Sequence, residues 1–382
     1  MQAERLVSLD AFRGATVAAM ILVNNPGLSS HVYPPLAHAA WNGWTCTDCI
    51  FPFFLWIVGV SLAFSLAART SRGATRSQLV LVVLRRSVLL FALGLFLSGF
   101  PFGVLWQHTF SWATIRIPGV LQRIAVCYCL AALVTLCTRQ RGQIVAIGVL
   151  CVSYWLMMQF FPVPEIGAGH YEKGQNFAAY VDSLVLSGHM WSASKTWDPE
   201  GIISTLPAIA TTLFGVVTGR YLRHCTAAPE EKSAWMCVAG AGFLLFGMAL
   251  DPVMPINKSL WTVSFAIFMH GMALCVFALV YYVIDANGRR KWAYPCVVFG
   301  MNAISVFVLA GGLGRIMGLW KLHVPLPDGT SASLAMKAFL FQQYFAPYFS
   351  PRNASLAYAL TWVGIMYLVA WVMYKKNVFM KI

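Results

Sequence analysis

Charge is what this sequence has least of. Only 10% of its 382 residues are charged, and just 13 of them are acidic, against about 25% charged in an ordinary soluble domain. That scarcity excludes a soluble enzyme carried on one membrane anchor, because the deficit runs the whole length of the chain. No repeat with a period of 20–50 residues, no low-complexity tract and no polar linker divides it, which argues for one domain over 1–382. Metal-ligand spacing is also missing. Cys46 and Cys49 form a C-x-x-C, but no second Cys/His pair completes a zinc set, so a redox or metal role for them is the minor reading. Most other cysteines stand in apolar runs, where cysteine acts as a small hydrophobe.

What is present in excess is apolar: 59% of residues, with net charge +14. A span takes ~20 apolar residues, and the runs at 9–25, 48–67, 79–99, 118–137, 143–161, 202–222, 234–250, 259–284, 294–316 and 355–374 predict an all-α polytopic membrane protein. About ten helices form one bundle on this reading. With an even number of spans, both termini share a side. Eighteen of the 27 basic residues, among them Arg5, Arg69, Arg85, Arg86, Arg139, Arg290, Lys375 and Lys381, then fall on that side. Eight lie across the membrane in longer loops, and Arg123 lies within a span. The bias predicts N-in, C-in topology, so the positive charge reports orientation and not nucleic-acid binding. The segment 333–346 is apolar but contains Lys337, Gln342 and Gln343 and is read as interfacial or re-entrant. Two outer loops are large, 26–47 and 162–201.

Ionisable and amide side chains inside spans are costly and mark function. Asp10 and Arg13 are three residues apart and can pair on one face of the first helix; orienting that helix is the plain reading. Asn24 and Asn25 end the same span beside Pro26 and Gly27, as helix breakers or as amide donors to an oxyanion. His38 is followed by Trp41, Asn42 and Asp48. Thr47 or Asp48 can cap the second span, and a carboxylate there would orient one imidazole nitrogen and free the other as base or nucleophile. Gln122 and Arg123 sit a turn inside the fourth span. Arg85 and Arg86 interrupt the third, where they snorkel or meet phosphates at a cavity mouth. Asp198, Pro199 and Glu200 read as the cap and first turn of the sixth span, and Gly215 with Gly219 gives it a G-x-x-x-G packing face. Asn257, Lys258, Trp261 and Ser264 open the eighth span, with 257, 261 and 264 on one face, and Asn302 lies inside the ninth. Aromatics near the outer loops (Tyr33, Trp41, Trp44, Trp106, Trp112, Trp197) suit sugar stacking or the interfacial belt.

Taken in order, RLVSLDAFRG, VNN…HAAWNGWTCTDCIFPFF, RIPGVLQRIA, DPEGIISTLPAI, PINKSLWT and GMNAI resemble the transmembrane acyltransferases related to heparan-α-glucosaminide N-acetyltransferase, including their shorter bacterial homologues. The likeness runs from residue 5 to beyond 300. It implies an enzyme that takes an acetyl group from cytoplasmic acetyl-CoA and delivers it, without a metal, to an amino sugar or related glycan at the outer face. His38, Asn24 and Asp48 match the family's catalytic positions. Gln122, Arg123, Asn257, Lys258, Trp261 and Asn302 are expected around the acetyl-CoA cavity, with Arg85 and Arg86 at its phosphates. Asp10, Arg13, Asn42 and Asp198 are expected to position the rest. The expected setting is a bacterial inner membrane, with His38 towards the periplasm. No long domain precedes SLDAFRG, in contrast to the lysosomal relatives, which leaves the acceptor open. N- or O-transfer, an acetyl-histidine or a ternary complex, and dimerisation are open too. The rival reading is an amino-sugar transporter without acyl transfer.

Overall fold

The computed structural model describes residues 6–104, 110–325 and 331–380; Arg5, Trp106 and Lys381 lie outside them. About 69% of the chain is helical. The only sheet among the described residues is an antiparallel hairpin, β1 (Lys321–Pro325) and β2 (Ser331–Ala335).

Among the described residues, eight helices are long and apolar enough to cross a bilayer: α1 (Val7–Asn24), α2 (Cys46–Thr70), α3 (Arg76–Gly99), α4 (Val120–Cys137), α5 (Gln140–Phe160), α8 (Pro229–Leu250), α9 (Val263–Tyr281, continued to Ala286 by a π turn) and α13 (Pro351–Lys375). A ninth crossing can be made by α10 (Tyr294–Met301) with α11 (Ala303–Leu319), which meet at a 69° bend. Asn302 is the residue at the bend, so the expected straight ninth helix is broken there. The expected sixth span corresponds to α7 (Thr205–His224). Its four threonines, Arg220, Arg223 and His224 dilute its hydropathy below that of the others. It tolerates this because it is central: Ala208, Ala210, Leu213 and Val216 are wholly buried, so protein and not lipid surrounds it. Two short helices complete the fold, α6 (Phe177–Val185) in the large loop and α12 (Met336–Tyr344) after the hairpin. At about 1.5 Å per residue, the nine residues of α12 are far too short to cross, and 333–346 forms no span.

Close helix crossings fix the centre. A Cβ on Gly215 would collide with the carbonyl of Trp56, and one on Gly59 with that of Thr212, so α2 and α7 meet backbone to backbone, as the G-x-x-x-G pattern predicts. Gly14 and Gly300 bring α1 against α10 in the same way.

Successive long helices alternate in direction, which gives the bundle two distinct ends. One carries Asn24, His38, Asp48 and the 255–262 loop. At the other, Ser8 donates to Asp285, Arg223 to the carbonyl of Ala63, and Tyr294 packs on Tyr374. The beginning of α1 and the end of α13 therefore share the second end, the arrangement an even number of crossings requires.

Candidate active site

The site is organised by one carboxylate. Thr45, not Thr47 or Asp48, caps α2, because Asp48 at the third helical position reaches back to the Thr45 N–H in a capping box. Its Oδ2 accepts from the N–H groups of Ala39 (3.0 Å) and Thr45 (3.1 Å) and from the Thr45 hydroxyl (3.1 Å). That clamps the irregular 39–45 loop at both ends and leaves Oδ1 for His38, whose Nδ1 stands 2.6 Å away. Lys258 Nζ lies 3.3 Å from the same Oδ1 and 3.0 Å from His38 Nδ1. A ring nitrogen this close to a carboxylate carries the proton and donates it. It cannot also accept from an ammonium, so the acceptor for Lys258 is Asp48. The His38 Nε2 is thereby left as the free, basic nitrogen. The imidazole is 56% exposed and the carboxylate 2%, so the orienting group is sheltered and the reactive ring reachable. Burial draws the Lys258 ammonium below the usual lysine range, against the opposing pull of Asp48 and Glu200.

Lys258 is placed by a second knot. Asn257 donates from Nδ2 to the Trp41 carbonyl and to Asn42 Oδ1, both at 3.0 Å, and accepts from the Leu260 N–H. Gly43 N–H donates to the Ile256 carbonyl, and the Tyr154 hydroxyl to that of Leu260. These bonds correct the expected helix face of 257, 261 and 264. Residues 257–262 form a loop, Trp261 takes a positive φ of 50°, and α9 starts only after Thr262 caps it. Pro255 and the Asn257–Thr262 bonds hold that loop out of helix. Trp261 donates to Thr211 and lies beneath Arg123, whose guanidinium carbon is 5.3 Å from the ring centroid. Arg123 itself donates to the Gly201 carbonyl and the Ser204 hydroxyl.

Asp198 is not the cap of the sixth span; Ser204 holds that position, six residues later. A tertiary partner outweighs the local capping rule. Arg116 forms a bidentate pair with Asp198 (2.9 and 2.6 Å) and also reaches Glu200. Asp198 accepts the Trp191 N–H as well. Burial works to lower the Arg116 pKa, but these carboxylates hold it above its ordinary value. Sequence reasoning missed Arg116 and Asp182; the latter accepts from the N–H groups of Asp198 and Ile202. Acid and base separated by 82 residues carry no local signal. Trp197 is buried edge-on against Trp41, which also donates to the Tyr171 carbonyl, so the 162–201 loop packs directly on the His38 loop.

A cavity of about 670 Å³ opens at the other end of α2. Arg13, Arg69, Arg85 and Arg86 line it, with Ser61 and Ser65, and no carboxylate is among its lining side chains. Asp10 does pair with Arg13, at 3.1 Å, and Arg13 also donates to Ser61. Arg86 packs over Tyr128, and its buried Nε has no hydrogen-bond partner. Its apolar lining includes Phe54, Leu121 and Ile124. Phe54 is six residues from Asp48, about 9 Å along the helix. Of the expected donor-binding residues, Arg85 and Arg86 line it. Gln122 and Asn302 lie one position from lining residues, Gln122 bonding Ser98 and Asn302 buried with its amide unpartnered. Arg123, Asn257, Lys258 and Trp261 belong to the His38 surroundings instead. Asn24 lines a separate cavity between α1, α11 and α13. Cys46 and Cys49 occupy the first turn of α2, exposed and buried respectively, and neither is in a disulfide.

A profile of the family described as heparan-alpha-glucosaminide N-acetyltransferase, catalytic, matches residues 5–246. The chain belongs to that family. The match includes His38, Asp48, the 162–201 loop and the arginines of the large cavity, but ends before Asn257 and Lys258. Human heparan-alpha-glucosaminide N-acetyltransferase is 29% identical over 99% of this chain, and the mouse enzyme of that name 28% over all of it. The chain spans about 60% of the length of these relatives.

Proposed function

We propose that this protein is a transmembrane acetyltransferase that moves an acetyl group from acetyl-CoA to the amino group of an amino sugar. The carrying observation is the 2.6 Å contact between His38 Nδ1 and the buried Asp48 carboxylate, with the other ring nitrogen free. The activity for which the relatives are named supports the reaction class. The sequence's charge bias supports N-in, C-in topology in a bacterial inner membrane, with His38 on the periplasmic side.

The residues present fit the donor. Four arginines around a cavity without carboxylates, one bearing an orphaned buried N–H, suit the phosphates of CoA. The thioester supplies the activated acetyl group. The acceptor reacts as the neutral amine: His38 Nε2 takes a proton from the amine nitrogen as it bonds to the acetyl carbon, and gives that proton to the sulfur as the C–S bond breaks. Such a base is typically worth 10²–10⁴ in rate, about 3–5 kcal/mol. Asp48 stabilises the imidazolium, and Lys258 keeps Asp48 ionised. Asn24, expected as the oxyanion donor, lines a different cavity, and no step is assigned to it. His38 attacking directly, to give an acetyl-imidazole, is the alternative scheme; intact mass after acetyl-CoA alone separates the two. The test of the function is release of free CoA thiol from acetyl-CoA in the presence of glucosamine. The wild-type chain releases it and His38→Ala does not; equal release would remove His38 from the chemistry.

A further inference from the structure

The cavity that Asn24 lines has no part in the chemistry assigned to His38 and Asp48. It holds about 270 Å³ between the end of α1, the second half of α11, α12 and the start of α13. Its cations are Arg315 and Lys337, and no carboxylate is among its lining side chains. Arg315 donates one nitrogen to the carbonyls of Ser98 (2.9 Å) and Phe100 (3.1 Å), which fixes the guanidinium, and it has no acidic partner among the described residues. Lys337 has no hydrogen-bond or ion-pair partner among them, and burial draws its ammonium below the usual range. Trp362 lines the same space. It is 7% exposed, and its indole N–H has no partner. Gly311 and Gly314 leave the α11 wall open, Ile21, Phe307 and Met317 give it an apolar side, and Asn24 and Asn25 stand beside them.

Lys337 is half-buried and Arg315 exposed at the cavity's edge, so the two cations face one small space with the buried, unsatisfied Trp362 N–H and no anion among its lining side chains. A ligand that brings the missing negative charge resolves all three. The apolar side requires that the anion be attached to something larger than itself. The cavity lies between the end of α1, α11 and the first half of α13.

We propose that this cavity binds a phosphate ester, with Arg315 and Lys337 on the phosphate and the apolar wall against its organic part. A phospholipid head group and a soluble sugar phosphate share that chemistry. The site is separate from the acetyl-transfer reading and stands or falls without it.

The test is binding to the full chain in non-ionic detergent, without acetyl-CoA, followed by native mass spectrometry and unfolding temperature. Dioleoyl-phosphatidylglycerol, glucosamine 6-phosphate and phosphate-free dioleoylglycerol are titrated separately. Saturable binding of either phosphate probe is expected, with little of dioleoylglycerol, and whichever phosphate probe binds identifies the source. Lys337→Gln is expected to weaken it about tenfold, the size of one lost charge-assisted hydrogen bond, and Lys337→Arg to restore it. Gly311→Leu, which fills the space, should also abolish binding and serves if Lys337→Gln does not fold. The proposal is overturned by no saturable phosphate binding, by dioleoylglycerol binding equally well, or by a folded Lys337→Gln or Gly311→Leu chain that binds like wild type.

Discussion

The two ends of α2 handle charge in opposite ways. Around Asp48 the charge is tied: the carboxylate has five donors within 3.3 Å, and the Lys258 loop is stitched to the His38 loop through Asn257. At the Arg69 end, Arg69, Arg85 and Arg86 surround a 670 Å³ space with no carboxylate. On the proposed function, the difference separates two tasks. Chemistry needs a base held in one tautomer and orientation, which demands a dense hydrogen-bond cage. Capture of a polyanion needs positive charge left uncompensated until the ligand arrives. One helix about 37 Å long by its 25 residues presents both.

Substitutions at the two ends should therefore fail differently. The largest effect belongs to Asp48→Asn, which keeps the shape but removes the charge that fixes the His38 tautomer. A fall of about 10²–10⁴ in kcat is expected, with little change in KM for acetyl-CoA; a pure KM effect would erase the distinction between the ends. Arg85→Gln with Arg86→Gln should do the reverse, raising KM for acetyl-CoA tenfold or more while kcat holds, with a steeper loss at high salt. Asn257→Ala sharpens the comparison by loosening the cage without touching its charges. Losing its bonds to Trp41 and Asn42 should cost about 1–3 kcal/mol in unfolding free energy and lower kcat through a displaced Lys258.

The smallest effect is a pH term in the loop packed on the His38 end. Burial pushes the Asp182 carboxyl up to about 6, from an ordinary 3.8. The folded state thus favours the protonated form. That contribution is complete below pH ~4 and is lost as pH rises through 6. Between pH 5 and 7.5 the chain should lose about 1–2 kcal/mol from this group, seen as a falling unfolding temperature in detergent, and Asp182→Asn should flatten that part of the profile.

What the sequence could show followed from interaction range. His38 and Asp48 are ten residues apart across a helix start, so their pairing was readable from local capping and imidazole chemistry. The α2–α7 crossing was readable because glycines four apart leave a recognisable stripe. Lys258 was noticed as an odd charge but assigned to the donor cavity; only the fold brings it across 210 residues to Asp48. Asp198 was misread because D-P-E before an apolar run satisfies every local rule for a helix start, while its partner Arg116 gives no local sign. The Asn302 bend and the loop at 257–262 were missed for a related reason. Apolar composition marks a span, but not a break within it or a late start.

The central claim is that donor and acceptor meet from opposite ends of the bundle. Sealed vesicles containing the chain in one orientation test it, with acetyl-CoA supplied only on the face of the Arg69 end and glucosamine only on the face of His38. The account predicts N-acetylglucosamine on the glucosamine side, free CoA thiol on the other, and neither with His38→Ala. Glucosamine crossing unacetylated, or product only when both substrates share a face, would contradict it.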